Sequence, residues 1–233
     1  MLYRSEDNSA QGIGNRTSRL GYASSKDGMN FKKCRFPVLY PAKDSQFEQE
    51  MPGGCEDPRI ARRENGTYVL LYTQWNRKVP RLAVATSKDL KSWTKFGSVF
   101  KMAFAGKFFN EPTKSVSIVT KVVRENQVIA KINGKYFMYW GEKNVYAATS
   151  DDLISWTPIL NSKGDIQVLF SPRAGFFDSE LTEVGHLQYL QVTEYYSSIM
   201  EKIKPEWKAI YVIRQMRTVS VKHYLIAKIQ QDY

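Results

Sequence analysis

Cysteine, histidine and long apolar runs are scarce in this chain of 233 residues. Two cysteines, Cys34 and Cys55, are too few for a disulfide framework, and neither belongs to a metal-type cluster. They fit a reduced, cytoplasmic setting. No apolar run is long enough to cross a bilayer, so no membrane partner is expected. The opening MLYRSEDNSA has no basic stretch followed by an apolar one, so no signal peptide is read there. No Gly-rich nucleotide loop is found, and no His-Cys-Asp cluster suggests a metal; no cofactor is expected. The net charge is +11, but the basic residues are scattered without a dense Lys/Arg block. That pattern reads first as a solvated surface, next as a site for a small phosphate-bearing ligand, and last as a nucleic-acid surface. No nucleic-acid partner is therefore expected.

Aromatic residues are plentiful and favour β structure. Three segments repeat: YASSKDGMNFKK (22–33), VATSKDLKSWTK (84–95) and AATSDDLISWTP (147–158). Each carries Ser-x-Asp followed by an aromatic four positions on, with Asp27, Asp89 and Asp152 leading to Phe31, Trp93 and Trp156. The offsets are 62 and 63 residues. Hydrophobic strands precede the copies, and ENGTY and INGKY precede the second and third of those strands. Asn-Gly between extended runs predicts a type I′ hairpin, with φ positive at both central residues. The unit is strand, Asn-Gly turn, strand, loop, strand, turn, strand. Four antiparallel strands at this period match one propeller blade, with a β-sandwich as the alternative. The Ser-x-Asp turns are read as structure, not chemistry. MLYRSED aligns with the second strand of its unit, so the chain opens in mid-blade.

The motifs GNRTSRLGYASSKDG, GGCEDPRI, YTQWNRKVPRLAVATSKDLKSWTK, AKINGKYFMYWGE and SPRAGFFDSELTEVG together resemble glycoside hydrolase family 130 over residues 1–185. The likeness is to β-mannoside phosphorylases, above all the 4-O-β-D-mannosyl-D-glucose phosphorylase type. It implies an all-β fold of the five-bladed β-propeller family, here an incomplete propeller of about three blades plus the start of a fourth. It also implies a glycosyltransferase-type enzyme that carries out inverting phosphorolysis of a β-mannoside to α-mannose 1-phosphate. The partners are then a small-molecule β-mannoside and inorganic phosphate as co-substrate; a family-type homo-oligomer is compatible with it.

The resemblance puts the catalytic acid on Asp57, donating through the mannose 3-hydroxyl to the leaving oxygen. Glycines 53 and 54 let backbone approach a sugar, and Pro58 is expected to hold Asp57 in extended geometry. A rigid carboxyl group there can act as a general acid. Glu56 is the rival, or an acid pairing with Arg59 or another base. Phosphate is already a charged nucleophile, so one acid and a basic pocket suffice, whereas an inverting hydrolase needs two carboxylates. Arg77 and Lys114 match the phosphate-contacting positions, with Asn76 and Arg81 beside them; guanidinium and ammonium suit that anion. Val116 stands where relatives often have Gly. Arg19, Arg16 and Asp178 are expected to meet sugar hydroxyls. Tyr72, Trp75 and Tyr139 offer sugar-stacking faces or strand core.

All fourteen glycines precede residue 186. The stretch 186–233 has no Asn-Gly turn and no fourth Ser-x-Asp copy. Under the standard genetic code its residues are compatible with codons that, read in another frame, restore a strand-turn-strand pattern, so a frame shift after Gly185 is expected, against a divergent extension. The reading divides the chain into a partial propeller domain, 1–185, and an anomalous tail, 186–233. An unclosed ring leaves bare sheet edges, which favours association and inactivity of the chain as written. A hydrolase of the same fold and a non-catalytic carbohydrate-binding remnant stay open beside the phosphorylase.

Overall fold

Strands make up nearly all the regular structure in the computed structural model, which describes residues 1–8, 12, 15–124, 126–185 and 188–190. The first unit is an antiparallel meander of β1 (Leu2–Glu6), β2 (Ser18–Ser24) and β3 (Lys32–Lys33). A four-residue helix, α1 (Phe47–Glu50), leads to the second unit. That unit is β4 (Gly54–Arg62), β5 (Tyr68–Trp75), β6 (Pro80–Ser87) and β7 (Thr94–Ser98), each paired antiparallel with the next. The third unit follows a 3-10 turn at Ala103–Gly106. It contains β8 (Val116–Val123), β9 (Asn126–Ile129), β10 (Lys131–Ile132), β11 (Lys135–Trp140), β12 (Tyr146–Ser150) and β13 (Trp156–Pro158). Here β8 pairs with both β9 and β11, an extra hairpin that the repeat did not reveal. β14 (Gln188–Leu190) adds to β8 in parallel. The rest of the tail, where the frame shift is expected, lies outside the described residues. Among those residues neither sheet closes on itself, and no helix is long and apolar enough to cross a membrane.

The repeated Ser-x-Asp segments form one turn three times. The Asp carboxylate accepts the backbone N–H groups two and three residues on, and the Ser hydroxyl accepts the N–H of the residue after Asp. That residue sits at positive φ each time: Gly28 at 75°, Leu90 at 65° and Leu153 at 73°. These local bonds hold the two leucines in a region that L-residues disfavour. They also lower the Asp89 carboxyl to about 2, chiefly through the Ser92 and Lys91 N–H groups. The Trp93 and Trp156 indoles close their turns by donating to Leu90 and Leu153 carbonyls, both at 3.2 Å.

The two Asn-Gly turns differ. Asn133 and Gly134 both have positive φ, 49° and 82°, as a type I′ turn requires. At the other, Gly66 is at 83° but Asn65 is not in the left-handed region. The expected I′ turn is replaced there by a longer loop. Gly66 N–H donates to the Arg63 carbonyl, Arg63 N–H to Thr67, and the Asn65 side chain accepts from Thr67. A type I turn followed by glycine does the same reversal over more residues.

Successive side chains of a strand point to opposite faces, and both faces of β5 are buried. Leu70 and Tyr72, with Cys55 of β4, pack with Leu20 and Leu39 of the first unit and its connection. Val69 and Leu71 pack with Val116, Ile118, Met138, Trp140 and Trp156 of the third. The second unit is thus the filling of a face-to-face stack, which explains its continuous apolar run YVLLY. A third cluster, with Val119, Tyr139 and Val145, covers the far face of the third unit. Tyr72 and Tyr139 are accordingly core residues, not stacking platforms.

The first two units join in parallel at a single pair, Ser18 and Gly54. Gly54 has φ 108°, and a Cβ there would lie 2.1 Å from the Ser18 carbonyl oxygen. Gly134 shares the positive φ but faces open space. Gly134→Ala should cost about 1–2 kcal/mol of backbone strain, and Gly54→Ala should cost markedly more, because the unit junction must also open. Urea midpoints of the two variants check this; equal losses would contradict it.

Candidate functional site

The site forms where the first strand, the start of the second unit and the approach to the third meet. Asp57 lies on β4 within a register shift between Glu56 and Arg59. Its φ is 47°, left-handed rather than the extended geometry expected before Pro58. The register shift is the physical reason. The residues from Asp57 to Pro58 leave the ladder with β5, so the backbone is free to turn and the carboxyl is re-aimed. Asp57 Oδ1 accepts from Arg4 Nη1 at 3.1 Å, and its Oδ2 lies 3.5 Å from Lys114 Nζ. Lys114 also reaches Glu142, at 4.0 Å.

Arg4 is the hub on the other side. Its Nη2 donates to Glu6 at 2.7 Å and Glu56 at 2.9 Å, and its Nε to the Ser18 hydroxyl at 3.1 Å. Ser18 in turn reaches Glu56 and Glu6, each at 3.2 Å. Glu56 therefore pairs with Arg4 and not with Arg59. Burial raises its carboxyl above the ordinary range; Arg4 opposes that shift and the Asp57 charge adds to it. The Arg4 hydrogen bond holds Glu6 below its ordinary range, and Arg16 contributes from further off. Arg4, Glu6, Ser18 and Glu142 went unnoticed in the sequence. Strand alternation puts Leu2, Arg4 and Glu6 on one face of β1, and the register sets Arg4 and Glu6 opposite Leu20 and Ser18. That alternation was the available signal.

The remaining sequence candidates separate into groups. Asp57 and Lys114 come together. Arg77 sits in the loop after β5, at φ 61°, and its Nη2 donates to the Asn15 carbonyl at 2.5 Å. It thus spans from the second unit to the segment before β2. Asn76 does a different job from the one expected. Its Oδ1 accepts the N–H groups of Lys78 and Val79, at 3.1 and 2.9 Å, and shapes that loop.

Arg81 likewise serves the chain. Its guanidinium is buried, donating to the Phe109 and Val79 carbonyls and, at 2.6 Å, to Asn110 Oδ1. Burial lowers its pKa. With Thr113 bonded to Pro80 and Leu82, Arg81 fixes the segment that delivers Lys114. Alternation also sends Arg19 to the ribbon face opposite Arg4. There it pairs with Asp7 and lines a cavity of about 210 Å³ with Tyr3, Ser5, Gly21 and Arg35. Asp178 is held by Arg173 of its own loop, with Nε 3.1 and 2.9 Å from the two carboxylate oxygens. Ser115, at φ 52°, donates to Glu183, and Glu183 pairs with Glu142 in an isolated bridge. These contacts bring the strand-β11 end and the 183 segment towards Lys114.

The sequence profile described as β-1,4-mannooligosaccharide phosphorylase, glycoside hydrolase family 130, matches residues 1–196. A 1,2-β-oligomannan phosphorylase of Thermoanaerobacter sp. (strain X514) is 35% identical over 161 residues, covering 67% of this chain and 46% of that protein. The crystal structure of a glycosyl hydrolase from Bacteroides ovatus superposes with a TM-score of 0.80 at 64% identity, covering 82% of this chain and 53% of that one. Another solved structure superposes with a TM-score of 0.80 at 60% identity, covering 82% of this chain and 53% of its own. It is described by the statement that the GH130 family of mannoside phosphorylases contains glycoside hydrolases that target β-1,2 mannosidic linkages in Candida mannan. The chain spans about half the length of these relatives.

Because burial favours the protonated Glu56, the folded chain binds a proton there more tightly than the unfolded chain does. That stabilisation is complete below the ordinary glutamate value of about 4.3 and is lost as pH rises through the raised folded value. Wild type should therefore lose stability relative to Glu56→Gln as the pH climbs from about 4 towards neutrality. Urea midpoints of both proteins across that range check it; a constant difference would contradict it.

Proposed function

Because the chain belongs to glycoside hydrolase family 130, we propose that it carries the acid and phosphate machinery of an enzyme that cleaves β-mannosides by inverting phosphorolysis. Asp57 gives its proton, through the mannose 3-hydroxyl, to the leaving oxygen. Phosphate, drawn by Lys114 and Arg77, attacks the anomeric carbon from the opposite face, and α-mannose 1-phosphate leaves. One observation carries this reading: the acid and the cation meet, with Asp57 Oδ2 3.5 Å from Lys114 Nζ. Charge-assisted bonds to phosphate are about twice as strong as neutral ones, and no second carboxylate is then required to activate the nucleophile. Arg16 and Asp178 are proposed for sugar hydroxyls, Asp178 on release from Arg173, whereas Arg19 lies on the ribbon face opposite Arg4.

The same proposal includes a five-bladed propeller, of which this chain supplies about three blades and the opening of a fourth. The face-to-face stack of antiparallel units at a near-constant repeat supports it, as does the parallel pairing of β2 with β4. The substrate is a β-mannoside. The sequence motifs favour mannosyl-glucose, while the names of relatives such as the 1,2-β-oligomannan phosphorylase favour a β-1,2 linkage. The free cysteines fit work in the cytoplasm.

Hydrolysis is the second reading, and Glu142 favours it. Inverting hydrolases hold their two carboxyl groups about 6.5–9.5 Å apart, with water between. Asp57 and Glu142 flank Lys114 at 3.5 and 4.0 Å, so a second carboxylate stands near the acid. The relative at 60% identity adds weight.

A full-length protein that completes this chain's propeller should be incubated with β-1,2-mannobiose and with mannosyl-β-1,4-glucose, with and without inorganic phosphate. Phosphate-dependent release of mannose 1-phosphate is expected. Free mannose without phosphate would replace phosphorolysis by hydrolysis, and neither product would leave a carbohydrate-binding remnant. Asp57→Asn should lower the rate about 100-fold or more, as loss of a general acid does. An undiminished rate would overturn the assignment.

A further inference from the structure

We infer that Asp57 and the incoming anion compete for Lys114, so that anion binding loads the proton Asp57 later donates. The inference rests on Asp57 and Lys114 having the roles proposed above. The Asp57 carboxylate is divided between two cations from different parts of the chain. Oδ1 is on Arg4, from β1, and Oδ2 is on Lys114, from the segment before β8. The two cations are not held alike. Arg4 is fixed by Glu6, Glu56 and Ser18 as well as Asp57, with contacts between 2.7 and 3.1 Å. Lys114 reaches its carboxylates at 3.5 and 4.0 Å, longer than a charge-assisted hydrogen bond. The two side chains are exposed to about the same degree, so it is the looser contacts that make Lys114 the partner that can be exchanged.

When a dianion takes Lys114, Asp57 loses one cation and gains a negative neighbour. Both changes act in the same direction: they favour the protonated acid. A proton then passes from solvent to Asp57 Oδ2, and the ion pair between Oδ2 and Nζ breaks as the one between Nζ and the anion forms. In turnover that proton moves to the glycosidic oxygen while the C1–O bond breaks and the new C1–O bond to phosphate forms. The carboxylate left behind pairs again with Lys114 when the phosphorylated sugar departs. Acid and nucleophile are thereby loaded together. The charged groups facing Asp57 are Arg4 and Glu6 from β1, Glu56 from its own strand, Lys114, and Glu142 beyond it at the end of β11.

Sulfate is the probe, because its two charges do not titrate in the working range and phosphate's do. Calorimetric titration of the whole chain with sulfate from pH about 4 to about 7 should show affinity falling as pH rises, by up to about tenfold per pH unit. Asp57→Asn, nearly the same shape, should bind sulfate more tightly at pH 7 and with a much shallower pH slope, what remains coming from Glu56. Lys114→Met should lose binding, and Lys114→Arg should keep it. A slope undiminished in Asp57→Asn overturns the inference, as does one that vanishes in Glu142→Gln instead. So does sulfate binding that ignores Lys114→Met, or no sulfate binding by the wild type. Sugar turnover plays no part in this test. Coupling in this chain together with no mannose 1-phosphate release by the full-length protein would refute the proposed reaction and leave the coupling standing.

Discussion

The carboxylate of Asp57, held between Arg4 and Lys114, is the constraint on which the candidate site depends. It ties the first strand, the opening of the second unit and the approach to the third at one point. Ion pairs this exposed contribute little to stability, typically 0–1 kcal/mol each. Their value is positional: each cation is fixed to a different unit, so a correct stack of units is what brings the charges together. Burial of both faces of β5 supplies that stack, and the close approach at Gly54 sets how near the first two units come.

Three residues around the site share an uncommon backbone state. Asp57, Arg77 and Ser115 all have positive φ without being glycine. Such positions persist where the surroundings over-determine them, and they cluster at functional sites. Here the surroundings are identifiable. A register shift frees Asp57 from its ladder, Asn76 caps the loop that bears Arg77, and the 109–113 segment is anchored by Arg81 and Thr113 just before Lys114 and Ser115. Residues that bear charge towards the site are thus backed by polar residues that only shape the chain.

What the sequence made legible was local. The Ser-x-Asp turns could be read because every bond they need lies within a few residues, and Asp27, Asp89 and Asp152 make the same bonds. Asn133-Gly134 was legible for the same reason. The hairpin at Asn65-Gly66 was not, because the same dipeptide ends a longer loop whose closure depends on Arg63 and Thr67. Motif likeness singled out Asp57 and Lys114, which the fold brings together. It also singled out Arg81 and Asn76, whose side chains turn out to bond the chain itself. Nothing within a few residues of Arg81 announces Phe109 and Asn110. Arg4 escaped for the complementary reason: beyond its neighbour Glu6, the carboxylates that tie it to the site, Glu56 and Asp57, are more than fifty residues away.

The most direct test is a crystal structure of the chain with phosphate and a β-mannoside bound. Phosphate should contact Lys114 and Arg77, Arg4 should keep its bond to Asp57, and the freed Asp57 oxygen should face the sugar on the side opposite the phosphate. Phosphate bound elsewhere, or an Asp57 carboxylate pointing away from the sugar, would contradict the account.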